Sequence, residues 1–373
     1  MSKWEMVRLG DVLDYEQPTK YIVESTNYSD EFKTPVLTAG QSFILGYTDE
    51  TENIFTNYPV IIFDDFTAAI KYVDFSFKVK SSAMKILKAS QAADIKYLFY
   101  YMGTIKTDTQ LHKRYWISKY ANIEIPLPPL PVQQKIADIL NRASALIEKR
   151  KAQIDKLDLL VKSRFVEMFG DPVTNPMGWE RGTVRNIVAE VKYGTSNPAN
   201  DGGQYPYLRM NNITYSGQLD MTDLKYINMP DSQLEKYAVR KGDVLFNRTN
   251  SKELVGKTCV FDSNEKMIIA GYIIRVRTNN RAIPVYLSAV LNSDYGKLTL
   301  RAMCKTIIGQ ANINAQELQD IEILIPPLPL QHRFADYVRA TDKSKFAMQR
   351  GLDKLELLYK SLMQKCFAGE LFN

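Results

Sequence analysis

Histidine is nearly missing from this chain: among 373 residues only His112 and His332 occur. Cysteine is almost as scarce. Cys259, Cys304 and Cys366 lie far apart and form no C-x-x-C pair. Neither a zinc site nor a disulfide framework is expected from such a set, and no nucleophilic triad suggests itself. No G-x-G-x-x-G loop is present, so a nucleotide or methyl-donor site has no fingerprint. Apolar runs long enough to span a bilayer are absent, and Met1-Ser-Lys-Trp-Glu-Met6 lacks the apolar core of a secretory leader. The expectation is a soluble, cytoplasmic chain without membrane contact, holding no metal and no cofactor. A net charge of +6 and a pI near 8.9 tilt weakly toward a polyanionic partner.

What is abundant is repetition. Pro128-Pro129-Leu130-Pro131 and the residues to Leu140 return as Pro326-Pro327-Leu328-Pro329 and the residues to Val338, an offset of 198 (128 to 326). Ile154 through Ser163 return as Leu352 through Ser361 at the same offset, so one uninterrupted element has been copied whole. From Val132 to Phe169 neither proline nor glycine occurs, and apolar residues fall on a heptad. One seam position carries Ile136, Ala143 and Leu157; the other carries Leu140, Ile147, Ile154, Val161 and Met168. The second copy sets Phe334, Met348, Leu355 and Leu362 against Val338, Leu352, Tyr359 and Cys366. Five unbroken heptads point to a coiled coil rather than an ordinary amphipathic core helix. Arg150, Arg164, Thr341 and Lys345 interrupt the seams, as polar residues do where register must be fixed. Two such helices in one chain most simply pack on each other.

Around these helices the lobes also rhyme. Trp179-Glu180 repeats Trp4-Glu5, Pro206 through Met210 stands where Pro35 through Ala39 stood, and Asp243 through Phe246 echoes Pro59 through Phe63. Ile321-Glu-Ile323 matches Ile123-Glu-Ile125. Segments rich in β-branched and aromatic residues (Pro35–Ala39, Phe43–Leu45, Val60–Phe63, Tyr72–Val79) are predicted strands, and Ile95–Met102 has helical spacing. The connecting loops do not match. The chain divides into a first lobe over 1–131, a long helix over 132–170, a linker and second lobe over 171–330, and a second long helix over 331–373. Joining Asn373 to Met1 would close a two-fold circle, which antiparallel helices satisfy. The fold class is therefore α+β: two pseudo-repeated mixed lobes separated by an antiparallel pair of long coiled-coil helices.

This order of variable lobe, Pro-Pro-Leu-Pro and long helix, written twice, resembles the DNA-specificity subunit of Type I restriction–modification systems. Asp243 through Ser251 and Val255-Gly-Lys257 add to the likeness, as do Pro35 through Gln41 and Phe63-Asp-Asp-Phe66. The resemblance implies two target-recognition domains, each reading one half of a split site in double-stranded DNA. It also implies two DNA adenine methyltransferase subunits docked on the scaffold, with motor-nuclease restriction subunits added through them. Methyl donor and ATP would then sit on those partners. The contrasting readings are an enzyme without familiar motifs, and a protein-binding adaptor or RNA-binding scaffold with no part in DNA modification.

Reading bases in the major groove takes Arg, Lys, Asn and Gln, whose side chains can bond purine edges bidentately. The candidates flank the shared strands. In the first lobe they are Gln41, Lys71, Gln110, His112, Lys113 and Arg114. In the second they are Thr195, Ser196, Arg209, Asn211, Asn212, Asn247, Arg248, Asn250 and Lys257. Each could equally be a turn-forming side chain, since Asn and Ser favour turns. Other patterns fail as chemistry. Gly256-Lys-Thr258 looks like the tail of a phosphate loop, but Ser251 stands where its first glycine belongs. Ile325-Pro-Pro-Leu328 misses the Asn/Asp-Pro-Pro-aromatic tetrad of adenine methyltransferases at both ends. Asp64-Asp65 suits a turn better than a metal pair. No catalysis is expected from this chain alone.

Overall fold

The computed structural model describes residues 4–38, 42–106, 115–307 and 310–371. Two compact units emerge, and the first is discontinuous in sequence. The first comprises Met1–Lys151 with Gly351–Asn373, the second Ala152–Arg350.

In the first unit a four-stranded antiparallel sheet runs in the order Leu13–Glu16, Met84–Ala89, Val60–Asp64, Ile70–Val73. A smaller sheet orders Ile44–Thr48, Thr34–Leu37 and Lys78–Val79, with the last two parallel. The stretch read as one strand over Tyr72–Val79 is thus split between two sheets. Polar Asp74 and Ser76 lie at the break, where the chain leaves the antiparallel edge. Strand Glu5–Arg8 pairs with Glu124–Leu127, the strand that leads into the prolines.

The second unit repeats this plan in outline, with Ala238–Val239 as a fourth strand in its smaller sheet. Its four-stranded sheet orders Val188–Tyr193, Ile273–Thr278, Val244–Asn247, Thr258–Val260. Its second sheet again contains a parallel pair, Tyr205–Leu208 beside Met267–Ile269. Glu180–Thr183 pairs with Glu322–Ile325. One addition stands out among the described residues: Thr249–Asn250 joins Gln310–Asn312 and Lys305–Ile307 in a three-stranded sheet.

Two long helices complete the fold, Leu130–Phe169 with 40 residues and Leu328–Ala368 with 41. Both begin earlier than the apolar seam suggests, taking Pro131 and Pro329 into the first turn. A missing N–H is harmless there because first-turn amides have no intrahelical acceptor. Both stop at a glycine with positive φ, Gly170 and Gly369.

Inside the first unit, Ile136 and Leu140 share a core with Cys366, Phe367, Tyr97 and Trp116, and Tyr359 and Leu362 pack against it. Lys151 and Glu356 pair at 3.2 Å. Inside the second unit, Phe165 and Phe169 meet Phe334 edge-on at 5.5 and 5.4 Å, with Val161 and Val338 beside them. Ile147, Ile154 and Leu352 are buried, and Leu157, Met348 and Leu355 half-buried. Two of the polar seam residues, Lys345 and Arg164, have partners across the helix pair. Lys345 donates to both Asp158 oxygens at 2.7 Å, and the Arg164 guanidinium lies over the Tyr337 ring.

Candidate nucleic-acid interface

The shared sheet brings one backbone position into view in both units. In the first, Ile61 pairs with Leu87 and the strand ends at Asp64; in the second, Val244 pairs with Val276, the residue corresponding to Leu87, and the strand ends at Asn247. Asp64 and Asn247 are therefore equivalent, and so are Asp65 and Arg248. The sequence comparison set the four residues Asp243 through Phe246 against the five from Pro59 to Phe63; the strand register matches Phe246 with Phe63.

What each unit does at this position differs in sign. Asp64 holds a turn: its carboxylate accepts from the amides of Phe66 and Thr67 and from the Thr67 hydroxyl at 2.6 Å. Asp65 is buried, faces Lys85 Nζ at 3.6 Å and accepts from the Trp116 amide at 2.9 Å. Its carbonyl accepts from the Tyr115 amide. The acidic side chain thus turns inward, and Asp65 ties down the segment at Tyr115 and Trp116.

Arg248 stands at the equivalent place and is half-buried. Its backbone is pinned by the Tyr272 carbonyl and the Ile313 amide. Its guanidinium lies 5.0 Å from the centre of the Tyr193 ring, and its Nε has no hydrogen-bond partner among the described residues. Tyr193 and Tyr272 are 41% and 52% exposed, so a cation beside one accessible ring, with a second accessible tyrosine bonded to its backbone, marks this edge of the lobe. Such a pairing suits a base or a phosphate. Sequence reasoning missed both tyrosines; the one available signal was their place next to loop glycines, at Tyr193-Gly194 and Gly271-Tyr272.

The other second-lobe candidates divide by what their side chains already bond. Arg209 grips the Asp223 carboxylate and carbonyl, and Asn212 is buried between Asp220 and Asp223 carbonyls. Lys257 donates to the Met210 carbonyl, and burial pushes its ammonium pKa down. The buried Thr195 hydroxyl accepts from the Asn197 amide, and the Asn247 side-chain oxygen accepts from the Thr249 amide. These five hold loops. Ser196 and Asn211 are exposed, and Asn250 is half-buried beside Arg248. In the first lobe Lys71 is exposed, 5.9 Å from the Phe43 ring. Gln41, Gln110, His112, Lys113 and Arg114 lie outside the described residues.

The Gly256-Lys-Thr258 stretch is closed to phosphate by its own bonds. The Gly256 amide is taken by Asn247, its carbonyl accepts from Lys297 Nζ at 2.8 Å, and a Cβ there would meet Leu300 at 2.5 Å. Burial, helped by the charges of Lys162, Arg301 and Lys257, pushes the Lys297 ammonium down to about 8. Among the described residues no group of His, Cys, Asp and Glu is placed to hold a metal, and no helix is long and apolar enough to cross a membrane.

The family profile described as "Type I restriction modification DNA specificity domain" matches residues 1–157 and again 176–357. The chain belongs to this Type I DNA specificity family. It is 29% identical to the Type I restriction enzyme EcoR124I/EcoR124II specificity subunit of Escherichia coli, over 95% of this chain and 91% of that one. To the EcoKI specificity subunit of E. coli strain K12 it is 24% identical, over 67% and 58%. Its fold is that of the Type I restriction–modification S subunit from M. genitalium, with a TM-score of 0.58 at 15% identity, covering 98% and 96% of the two chains. Members of the Type I specificity family recognise DNA and leave the chemistry to other subunits; recognition without catalysis is the role of this chain as well.

Proposed function

We propose that each lobe reads one half of an asymmetric, interrupted duplex site, and that the long helices run antiparallel and hold the lobes at a set distance. The observation that carries this reading is the exchange of Asp65 for Arg248 at one place on a duplicated sheet. A repeated scaffold that buries a paired carboxylate in one unit and sets a guanidinium beside an accessible ring at the same spot in the other offers two different faces to DNA, so a palindrome is not the expected target. Within each unit the start of one long helix packs against the end of the other, which antiparallel helices satisfy at both ends. A 40-residue helix is about 60 Å long, the length of roughly 17 base pairs. With lobes overhanging the helix ends, reading surfaces about one DNA turn apart are within reach. Joining two modest half-sites in one molecule lets their free energies add.

Sequencing methylated positions in cells that carry this chain and its methyltransferase tests the reading. A two-part motif with unlike halves is expected; a palindrome or an uninterrupted motif would overturn it. In the same assay Arg248→Ala should cost about 1–3 kcal/mol of discrimination at one position of one half-site, if its guanidinium bonds a guanine edge. Equal weakening on every sequence would assign it to phosphate.

The reading extends to partners: two adenine methyltransferase subunits docked on the helices, and motor-nuclease subunits joined through them. Support comes from leucines on the wrong side of the seam. Leu159 and Leu160 are 59% and 50% exposed, and their copies Leu357 and Leu358 are 69% and 65% exposed. A duplicated apolar pair offers two like surfaces, one per partner. Replacing both Leu357 and Leu358 by Glu should leave DNA binding intact and reduce bound methyltransferase from two copies to one in native mass spectrometry. Retention of both copies would place the docking surface elsewhere.

A further inference from the structure

The Pro-Pro-Leu-Pro repeat hides a pair of glutamines that composition gives no reason to single out. Gln133 and Gln331 are both fully buried, although each sits in the first turns of a helix and is followed by polar residues. Gln133 Oε1 accepts from the Asp94 amide at 2.8 Å, and its Nε2 donates to the carbonyls of Ala92 at 3.1 Å and Pro128 at 2.8 Å. Gln331 Oε1 accepts from the Ile283 amide at 3.0 Å, and its Nε2 donates to the carbonyls of Arg281 at 3.0 Å and Pro326 at 2.8 Å.

The two sets of bonds are the same set. The glutamines and prolines are related by 198 residues, the lobe partners by 189 (Asp94 to Ile283, Ala92 to Arg281). Nine residues of net insertion have entered between them without disturbing one bond. A second contact closes each ring. Asp94 and Ile283 precede the lobe helices Ile95–Met102 and Pro284–Asn292. From these helices Tyr97 and Tyr286 donate their hydroxyls to the carbonyls of Pro126 and Leu324, just before the prolines. Lobe helix, exit strand and long helix are therefore braced to one another in each unit.

Only a carboxamide of this length fits. Three backbone groups converge, one donor and two acceptors, and glutamine supplies one acceptor oxygen and two N–H donors. Glutamate lacks the donors, and leucine supplies nothing.

We propose that Gln133 and Gln331 are positioning residues that fix the angle of each lobe on its long helix, and so make the complex strict about spacer length. The proposal rests on the reading that the helices separate two half-sites. A lobe of this size reaches roughly 25 Å from such a joint. A tilt of about 10° would then move its reading surface by about 4 Å, more than the ~3.4 Å rise of one base pair. Rod length alone cannot enforce a spacer if the joint at either end is loose.

The test uses the full chain with its methyltransferase subunits and a DNA library in which both half-sites are constant and the spacer varies. Wild type is expected to methylate one spacer length. Gln133→Leu and Gln331→Leu should each raise methylation of spacers one base pair longer and shorter by about tenfold relative to the preferred one. Base preference within the half-sites should stay unchanged, an outcome that general destabilisation would not produce. Tyr97→Phe and Tyr286→Phe remove one hydroxyl from the same brace and should broaden the spacer more weakly; they carry the test if the leucine variants do not fold. Spacer preference equal to wild type in the folded variants overturns the proposal. A wild type indifferent to spacer length would overturn the two-half-site reading and this brace with it.

Discussion

Phe334→Ala should destabilise the second unit by about 3–5 kcal/mol, the range for emptying a large aromatic from a packed core. Phe334 is wholly buried, and its ring meets those of Phe165 and Phe169 edge-on. Phe169 in turn touches Tyr286 at 5.0 Å, the residue whose hydroxyl is spent on the Leu324 carbonyl. Removing Phe334 therefore empties the point where both long helices and a lobe helix meet, and neighbours committed elsewhere cannot close the gap. Unfolding by urea, followed by tryptophan fluorescence and circular dichroism, should show the loss. Because Phe334 belongs to the core of the second unit and Ile136 stands at its repeat-related place in the first, the unfolding curve should split, with the first unit's transition little changed. A single transition shifted by less than about 1 kcal/mol would mean that this cluster contributes far less than its burial implies.

How much of this was legible in the residues depends on which force does the specifying. The long helices were, because a heptad is written by apolar side chains at fixed intervals and burial follows directly: Ile136, Leu140 and Phe334 are wholly buried. The lobe duplication was legible only at its anchors. Pro35 and Pro206 are 171 residues apart, Asp65 and Arg248 183, Asp94 and Ile283 189, and Pro128 and Pro326 198. Loops of unequal length shift the offset within the lobe, so the equivalence of Asp65 and Arg248 appears only from strand register. The reading surface was least legible. Arg209, Asn212 and Lys257 carry the groups a base reader needs, and those same groups satisfy loop carbonyls and carboxylates inside the lobe. A polar side chain announces that it can bond, never to what. Gln133 fails in the opposite direction: it looks like one more solvated residue on a helix, because two of the three backbone groups that make its burial favourable, at Ala92 and Asp94, lie far from it in the chain.

Taking one heptad from the first helix within Ile147–Val161, and the matching seven residues from the second within Lys345–Tyr359, should shorten the DNA spacer. Seven residues remove about 10.5 Å of helix, close to three base pairs. The deletion must be made in both helices. In the first unit Lys151 faces Glu356 and in the second Lys345 faces Asp158, so a cut in one rod alone would throw those pairs and the apolar seam out of register. A whole heptad keeps the seam on the same side of each helix. The double-helical half-site, however, turns by about 34° for each base pair removed. The new preferred spacer should thus be shorter by about three base pairs and bound less tightly, because the second half-site presents itself about 100° around the duplex axis. Methylome sequencing of cells carrying the doubly shortened chain reads both the spacing and the extent of modification. If the parental spacer persists in a variant that still folds and still modifies DNA, the helices do not set the distance and some other element must.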